Sequence, residues 1–395
     1  MSLWKPLDPE NIANPYEMYR VLRETAPIYK AQTGEWILTG YEDVRHVLTS
    51  KLFLSGNRMN WIKKEQSYLA NKGIDLKAII AAMDKFILQL DPPAHTKLRK
   101  FILENWKNKD VEHIINQNIE RATNDFSGNT IDLQEELTGK LPAMNAAAIL
   151  GLPSNDYAKL HEMASHMIIA LDLYVNLKDL VRLNEAAQEF IDYFKQLIRS
   201  KQYNDGLLAS LIEANEHSAE PLNERELISL AIFIFVAGEE TSVSFVSSGL
   251  YNLLKYDMFK EVASFDNYPA VVEELLRYDP PVQLLGRLAS KDCVINGTQI
   301  TAGDTLTLAI AAANRDPAHC DQPDKINFHR DPNRHLAFGQ GIHYCLGDWL
   351  ARQTSQLAFR HCVVHYPNMR LTEQSVEWNK NLAIRSLKSL KVQLT

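Results

Sequence analysis

Apolar side chains recur at helical spacing through most of this chain, and the spacing gives way to short β-like pieces only toward the C-terminal end. In residues 14–30, NPYEMYRVLRETAPIYK, the pattern predicts a helix that stops before Pro27, whose ring nitrogen offers no hydrogen-bond donor. EWILTG follows as a short strand with a glycine exit, and YEDVRHVLTS as a second helix. From about Lys51 to Leu90 the pattern is mixed and polar until LDPPAH breaks it, so this stretch is expected to be the most mobile of the N-terminal half. Between Asp91 and about Ser264 most windows are helical, among them HTKLRKFILENW, VEHIINQNIERATNDF, DYAKLHEMASHMIIALDLY, LNEAAQEFIDYFKQLIRS and DGLLASLIEANE.

The longest predicted helix is NERELISLAIFIFVAGEETSVSFVSSGLYNLLKY, roughly 45 to 50 Å at 1.5 Å per residue. It opens with Asn223 and, three positions on, Glu226, the pattern of a capping box. Its centre is apolar nearly all round and should be buried on every side. The apolar run ends at Glu239 and Glu240 after about a dozen residues, short for a membrane span. After AVVEELLRYDPPV the texture changes to GRLASKDCVINGTQITAGDTLTLAIAAANRDP, with N-G and A-G-D turn signals. A coil, one more helix and a β-like tail, SLKSLKVQLT, complete the chain. No repeat or long linker interrupts it, and residues 1–395 are expected to form one mainly α domain with small β-sheets.

Composition narrows the functional classes. With 46% hydrophobic and 23% charged residues the chain has a globular profile, and a net charge of −7 argues against a general binder of nucleic acid or anionic membrane. The opening MSLWKPLDPENIANPYEMYR lacks a secretory pattern, so a cytoplasmic location is expected. The four cysteines show no C-x-x-C pairing, and Cys293, Cys320 and Cys362 read as inert buried thiols.

Cys345 differs in its setting, HLAFGQGIHYCLGDWLAR, residues 335–352. Two readings are open: a buried thiol in a glycine-rich turn, or a metal-ligating thiolate. In the second, glycines let the backbone turn its N–H groups toward the sulfur and leave room for a flat cofactor, and the following helix adds the positive end of its dipole. One cysteine without partner ligands suits a single axial bond to haem iron better than a four-ligand zinc or iron–sulfur site.

The run Phe338-Gly339-x-Gly341-x-His343-x-Cys345-x-Gly347 resembles the haem-binding loop of the cytochrome P-450 superfamily, which makes Cys345 the axial ligand of haem b. The same family is matched by AGEET at 237–241, where packing alone would explain Ala237 and Gly238. The resemblance puts these two residues over the distal face of the haem, where the helix loosens to leave a groove for dioxygen. It makes Thr241 the hydroxyl that holds oxygen and water there, and Glu240 the acid that feeds protons; bacterial members more often have Asp at that position. EELLR contributes Glu274 and Arg277, at a spacing that is usually a solvated pair but in the family is a buried clasp. His95, Arg99, Arg287 and His343 match family positions that meet the haem propionates. The likeness runs from NPYEMYRVLR to IRSLKSLKV, and implies a cytochrome P-450 fold with haem between the long central helix and the cysteine-loop helix.

The activity implied is that of a monooxygenase that inserts one atom of O2 into a small molecule, as in secondary metabolism. No flavin or iron–sulfur module is legible, so electrons are expected from a separate ferredoxin or flavodoxin with its NAD(P)H-dependent reductase. Lys97, Arg99, Lys100, Lys107 and Lys109 cluster where the family presents its cysteine-side face and would steer an acidic partner. By analogy the pocket walls include Ile87, the Met163–Tyr174 segment, Phe233, Ala237, Leu284, Leu285, Ala383 and Ile384, an apolar set suited to a hydrophobic or carrier-bound substrate. A peroxide-driven haem enzyme and a catalytically silent haem-binding accessory protein are the alternatives. The retained cysteine and acid–Thr pair favour the monooxygenase over both.

Overall fold

The computed structural model describes residues 2–394 apart from 56, 72, 73, 107–109, 125, 127, 173, 174, 266, 374 and 375; the side chains of 57–61, 65, 67 and 171 are likewise outside the description. The chain is mostly helical with small sheets, the expected class. It packs as two compact units, one of Met1–Leu54, Thr123–Thr138 and Thr241–Thr395, the other of Ser55–Ala122 and Gly139–Glu240.

The first unit holds the described strands. Its larger sheet runs in the order Ile28–Lys30, Trp36–Leu38, Thr305–Ala309, Leu284–Ala289 and Phe53–Leu54. All its pairings are antiparallel except Trp36–Leu38 with Thr305–Ala309, where Trp36 lies opposite Leu306. Buried Leu38, Val44, Leu48, Phe53, Leu306, Leu308 and Leu336 form one core cluster against this sheet. Leu336 ties the start of the cysteine loop into that cluster. The tail strand Lys391–Gln393 pairs with Thr130–Asp132 and Arg370–Leu371, as its alternating pattern suggested.

The second unit is helical, and two of its segments differ from the pattern reading. Lys51–Leu90, read as mixed, contains the helices Asn57–Ala70 and Lys77–Ala82 and a tight turn at Ile87–Gln89. Leu76, Ile79, Ala82 and Met83 are buried there at helical spacing; the run LKAIIAAM is apolar nearly throughout, so no period stands out, while polar residues interrupt the pattern of Asn57–Ala70. Lys140–Leu150 is a further helix, apolar on all sides and hence without visible periodicity. Pro142 sits in its first turn, where the missing donor costs nothing.

The long helix spans Glu224–Lys255, 32 residues, or about 48 Å. Its capping box forms: the Asn223 amide donates to Glu226 Oε2 at 2.9 Å, and the Glu226 amide to Asn223 Oδ1 at 3.1 Å. An 18-residue window reaches a mean hydropathy of 1.6, but 78% of that window is buried inside the protein, which marks a core helix. The helix runs continuously through Ala237–Thr241. AGEET has no proline and keeps every backbone donor of the ladder. Farther on, a Cβ at Gly249 would lie 2.4 Å from the ring of Phe359, so glycine is what lets the cysteine-loop helix, Asp348–His365, approach this closely.

Glu274 and Arg277, on helix Tyr268–Tyr278, are 0% and 1% exposed and joined by two bonds of 2.9 and 2.8 Å. Arg277 donates further to the carbonyl oxygens of Asn314, Pro323 and Lys325 at 3.2, 2.8 and 2.9 Å. Glu274 accepts from the Asn327 amide, Arg330 and Asn333 at 2.8, 3.1 and 3.0 Å. The pair is therefore a hub that fixes the otherwise irregular coil 314–333 upstream of the cysteine loop. Arg277→Ala should lower unfolding stability by about 3–5 kcal/mol, because it leaves a buried carboxylate and three carbonyls short of donors. Arg277→Lys should recover only part of this, since an ammonium cannot reproduce the two-pronged fork. Urea unfolding of the three proteins measures both; losses below about 1 kcal/mol, the range of an exposed pair, would show that the hub carries no such weight.

Candidate active site

The cysteine loop takes its shape from glycine. Gly339 and Gly341 have φ of +69° and +76°, and a Cβ at Gly341 would lie 2.6 Å from the Leu48 carbonyl oxygen. Any side chain there would push the loop off the helix Tyr41–Thr49. The Gly339 amide donates to Leu336 O at 2.8 Å, the Tyr344 amide to Gly341 O at 3.1 Å and the Cys345 amide to Phe338 O at 3.0 Å. Asn314, one residue before Arg315, accepts the Leu336 amide at 2.7 Å.

A second carboxylate, Glu273, secures the same loop. It accepts from Arg352 Nε at 2.6 Å and lies 3.1 Å from His335 Nε2, and Arg352 also pairs with Asp348. The Arg352 guanidinium stands 4.3 Å from the centroid of the Phe338 ring, and the Tyr344 hydroxyl donates to Asp348 at 2.9 Å. Burial pushes the Glu273 carboxyl up, but His335 and Arg352 outweigh it and bring it to about 2. Glu273, His335 and Arg352 escaped the pattern reading. The available signal was the doubled acid of EELLR, since a second carboxylate next to a buried one also needs cations.

The thiols separate clearly. Cys320 and Cys362 are buried, and burial pushes the Cys362 thiol up to about 12. Cys293, expected to be buried, is half-buried, because its strand, Cys293–Ile295, belongs to a two-stranded ribbon. Cys345 is also half-buried, and a Cβ at Gly347 beside it would meet nothing within 4 Å. Among the described residues the one group of three or more close potential ligands is His161, Glu239 and Glu240, so no multi-ligand metal centre surrounds Cys345. A lone soft sulfur on a glycine-shaped loop, with open space next to it, fits a flat cofactor that takes one axial ligand. His343 is half-buried in the same loop.

Also in the first unit, Arg287 is buried on the strand Leu284–Ala289 and donates to the Gly286 carbonyl at 2.7 Å. Leu284 is buried, Leu285 half-buried, and the Gln283 amide donates to Ala383 O at 2.8 Å, which brings buried Ile384 alongside. In the second unit His95 is buried and Arg99 half-buried, one turn apart on the helix Ala94–Asn105. Burial, then the Arg99 charge, holds His95 below the usual imidazole range. Ile87 and Phe233 are buried, the rings of Phe86 and Phe233 are 5.3 Å apart, and a Cβ at Gly238 would meet nothing within 4 Å beside half-buried Ala237. Met163 and Met167 are buried, whereas Tyr174 lies outside the described residues. Of the basic cluster, Lys97 pairs with Glu220 at 2.7 Å and Lys100 with Glu104 at 3.6 Å; Lys107 and Lys109 lie outside the described residues.

Two residues around the acid position were also missed. Glu239 is 0% exposed and its Oε1 lies 2.5 Å from His161 Nδ1, on the helix Tyr157–Met167. Burial pushes both Glu239 and Glu240 well above the usual carboxylate range; the charge of Glu239 pushes Glu240 further up, while a hydrogen bond from Glu240 pulls Glu239 back. The clue in the sequence was a carboxylate in a helix centre with no exposed face, which must find a partner.

Known proteins agree with this geometry. The family model described as Cytochrome P450 matches residues 163–383. The polyketide biosynthesis cytochrome P450 PksS of Bacillus subtilis (strain 168) is 31% identical, over 97% of this chain and 96% of its own. The cytochrome P450 monooxygenase PikC of Streptomyces venezuelae is 31% identical, over 96% of this chain and 91% of its own. The crystal structure of P450BioI, in complex with an acyl carrier protein ligated to hexadec-9Z-enoic acid, superposes with a TM-score of 0.88 at 27% identity, covering 98% of this chain and 99% of that one. The chain belongs to the bacterial-type cytochrome P450 family: it is a haem-thiolate monooxygenase whose cofactor is haem b.

Proposed function

We propose that Cys345 supplies the axial thiolate and that Glu240 and Thr241 deliver protons during oxidation of a hydrophobic acyl or polyketide-like substrate. The observation that carries the first assignment is the glycine-shaped loop, which presents one half-buried thiol next to open space. When bound, the haem supplies the dioxygen chemistry, with two electrons drawn from outside. The chain's own part is to hold the sulfur, orient the substrate and move protons. The start of the helix Asp348–His365, three residues after Cys345, puts the positive end of a helix dipole near it and favours the thiolate charge. Arg287, His343, His95 and Arg99 are the groups we assign to the propionate carboxylates.

Glu240 is suited to general acid work because burial pushes its carboxyl well above the usual carboxylate range and so favours the neutral form, which has a proton to give. Thr241 follows it on the helix and offers a hydroxyl that both accepts and donates. Ile87, Phe233, Ala237, Leu284, Leu285 and Ile384 are the apolar side chains we assign to the substrate walls. The names of PksS and of the acyl-carrier complex of P450BioI support a polyketide or fatty acyl substrate, free or carrier-bound, in secondary metabolism. Electrons would come from a separate ferredoxin or flavodoxin with its reductase, in the cytoplasm.

Three outcomes are expected. Reduced, carbon-monoxide-bound protein should show the strongly red-shifted Soret band of thiolate ligation, and Cys345→Ala should abolish that band or haem retention; an unshifted band in folded, haem-loaded wild type would refute the ligand assignment. Thr241→Ala should still consume NAD(P)H but release hydrogen peroxide, with product per NAD(P)H down by about tenfold or more; unchanged coupling would remove Thr241 from proton delivery. Charge reversal at Lys100 and Lys107 should slow reduction by an acidic ferredoxin at low salt and matter little at high salt. Equal stopped-flow rates at low salt would end that docking assignment.

A further inference from the structure

We propose that His161 and Glu239 form a proton-entry relay that reloads Glu240 from solvent. It rests on the reading of Glu240 as the proton donor and deepens it. Glu240 is only 8% exposed, so little of it meets bulk water directly. Glu239 beside it is 0% exposed, but its partner His161 is 35% exposed, so the imidazole is where this buried pair meets solvent. A His161 ring nitrogen, a Glu239 oxygen and a Glu240 oxygen all lie within 4.8 Å of one another, a span that proton transfer can cover in two short steps.

The partner's chemistry matters as much as its position. An arginine on Glu239 would form a fixed ion pair and pass nothing on; an imidazole has two ring nitrogens and can take a proton on one while giving one from the other. Once Glu240 has spent its proton, Glu239 hands its own across; Nε2 takes a proton from solvent, the Nδ1 proton moves to Glu239 Oε1, and the imidazole returns to its Nδ1–H form by turning to solvent and exchanging its ring protons there. One proton enters for each that leaves, and no net charge accumulates. Two carboxylates this close and this buried are unfavourable when both are ionised, so the pair holds a proton in store. A metal ion fits the cluster less well. Ligands roughly 2.0–2.1 Å from a tetrahedral ion stand about 3.3 Å apart, whereas Nδ1 and Oε1 are 2.5 Å apart, in hydrogen-bond contact.

The test compares His161→Gln, Glu239→Gln and Glu240→Gln in the haem-loaded enzyme. Glu239→Gln is isosteric, so it serves even if the histidine variant folds poorly. Expected for both relay variants are product per NAD(P)H lowered on the order of tenfold, below the full value of a catalytic acid, a larger solvent deuterium isotope effect, and an unchanged substrate-induced spectral shift. Independently of turnover, the ring 15N signals of His161 in the ferrous carbon-monoxide form should move on Glu239→Gln. If Glu240→Gln loses coupling while His161→Gln and Glu239→Gln keep it, or if the His161 ring signals stay put, the relay is overturned and the role of Glu240 stands. A fully coupled Glu240→Gln overturns that role and the relay with it.

Discussion

A guanidinium taken out of water must find an acceptor for each of its N–H groups, and Arg277 meets that demand by reaching across three carbonyl oxygens of an irregular coil. The coil has no ladder of its own, so its path from Asn314 to Asn333 is set by the geometry of one side chain and of the carboxylate that holds it. The cysteine loop inherits this order through Asn314, which caps the Leu336 amide, and through Leu336, which enters the sheet core. Glu273 then locks the loop from the other side by way of His335 and Arg352. The position of the sulfur thus depends on charges that never touch it.

Two doubled acids, Glu273–Glu274 and Glu239–Glu240, show how partner choice separates structure from chemistry. Glu273 and Glu274 face arginines and a backbone amide, with His335 as a further partner of Glu273, and Glu273 stays ionised down to about pH 2. Glu239 and Glu240 meet each other and one histidine, and burial favours their protonated forms. Permanent cations make the first pair a brace. A titratable partner makes the second a store of protons. The residue type is the same in both, and only the company differs.

Much of this was legible along the chain. The long helix, its capping box, the strand near Trp36, the paired tail and the glycine-shaped turn around Cys345 all follow from local spacing and from residues with few conformational options. The helices within Lys51–Leu90 and Lys140–Leu150 were not legible: in Asn57–Ala70 polar residues interrupt the apolar repeat, and in Lys77–Ala82 and Lys140–Leu150 a nearly continuous apolar run erases it. The buried state of Glu274 and Arg277 was likewise invisible to their i, i+3 spacing, which solvated pairs share.

What the sequence determined by itself is therefore most of the helices and the identity of the cysteine loop, because backbone hydrogen bonding, proline, glycine and apolar period act over a few residues. The tertiary structure decided who faces whom: His161 against Glu239, Arg352 and His335 against Glu273, and three coil carbonyls against Arg277. Those contacts join residues tens of positions apart, and their energies come from desolvation and charge, which exist only once the chain has closed around them.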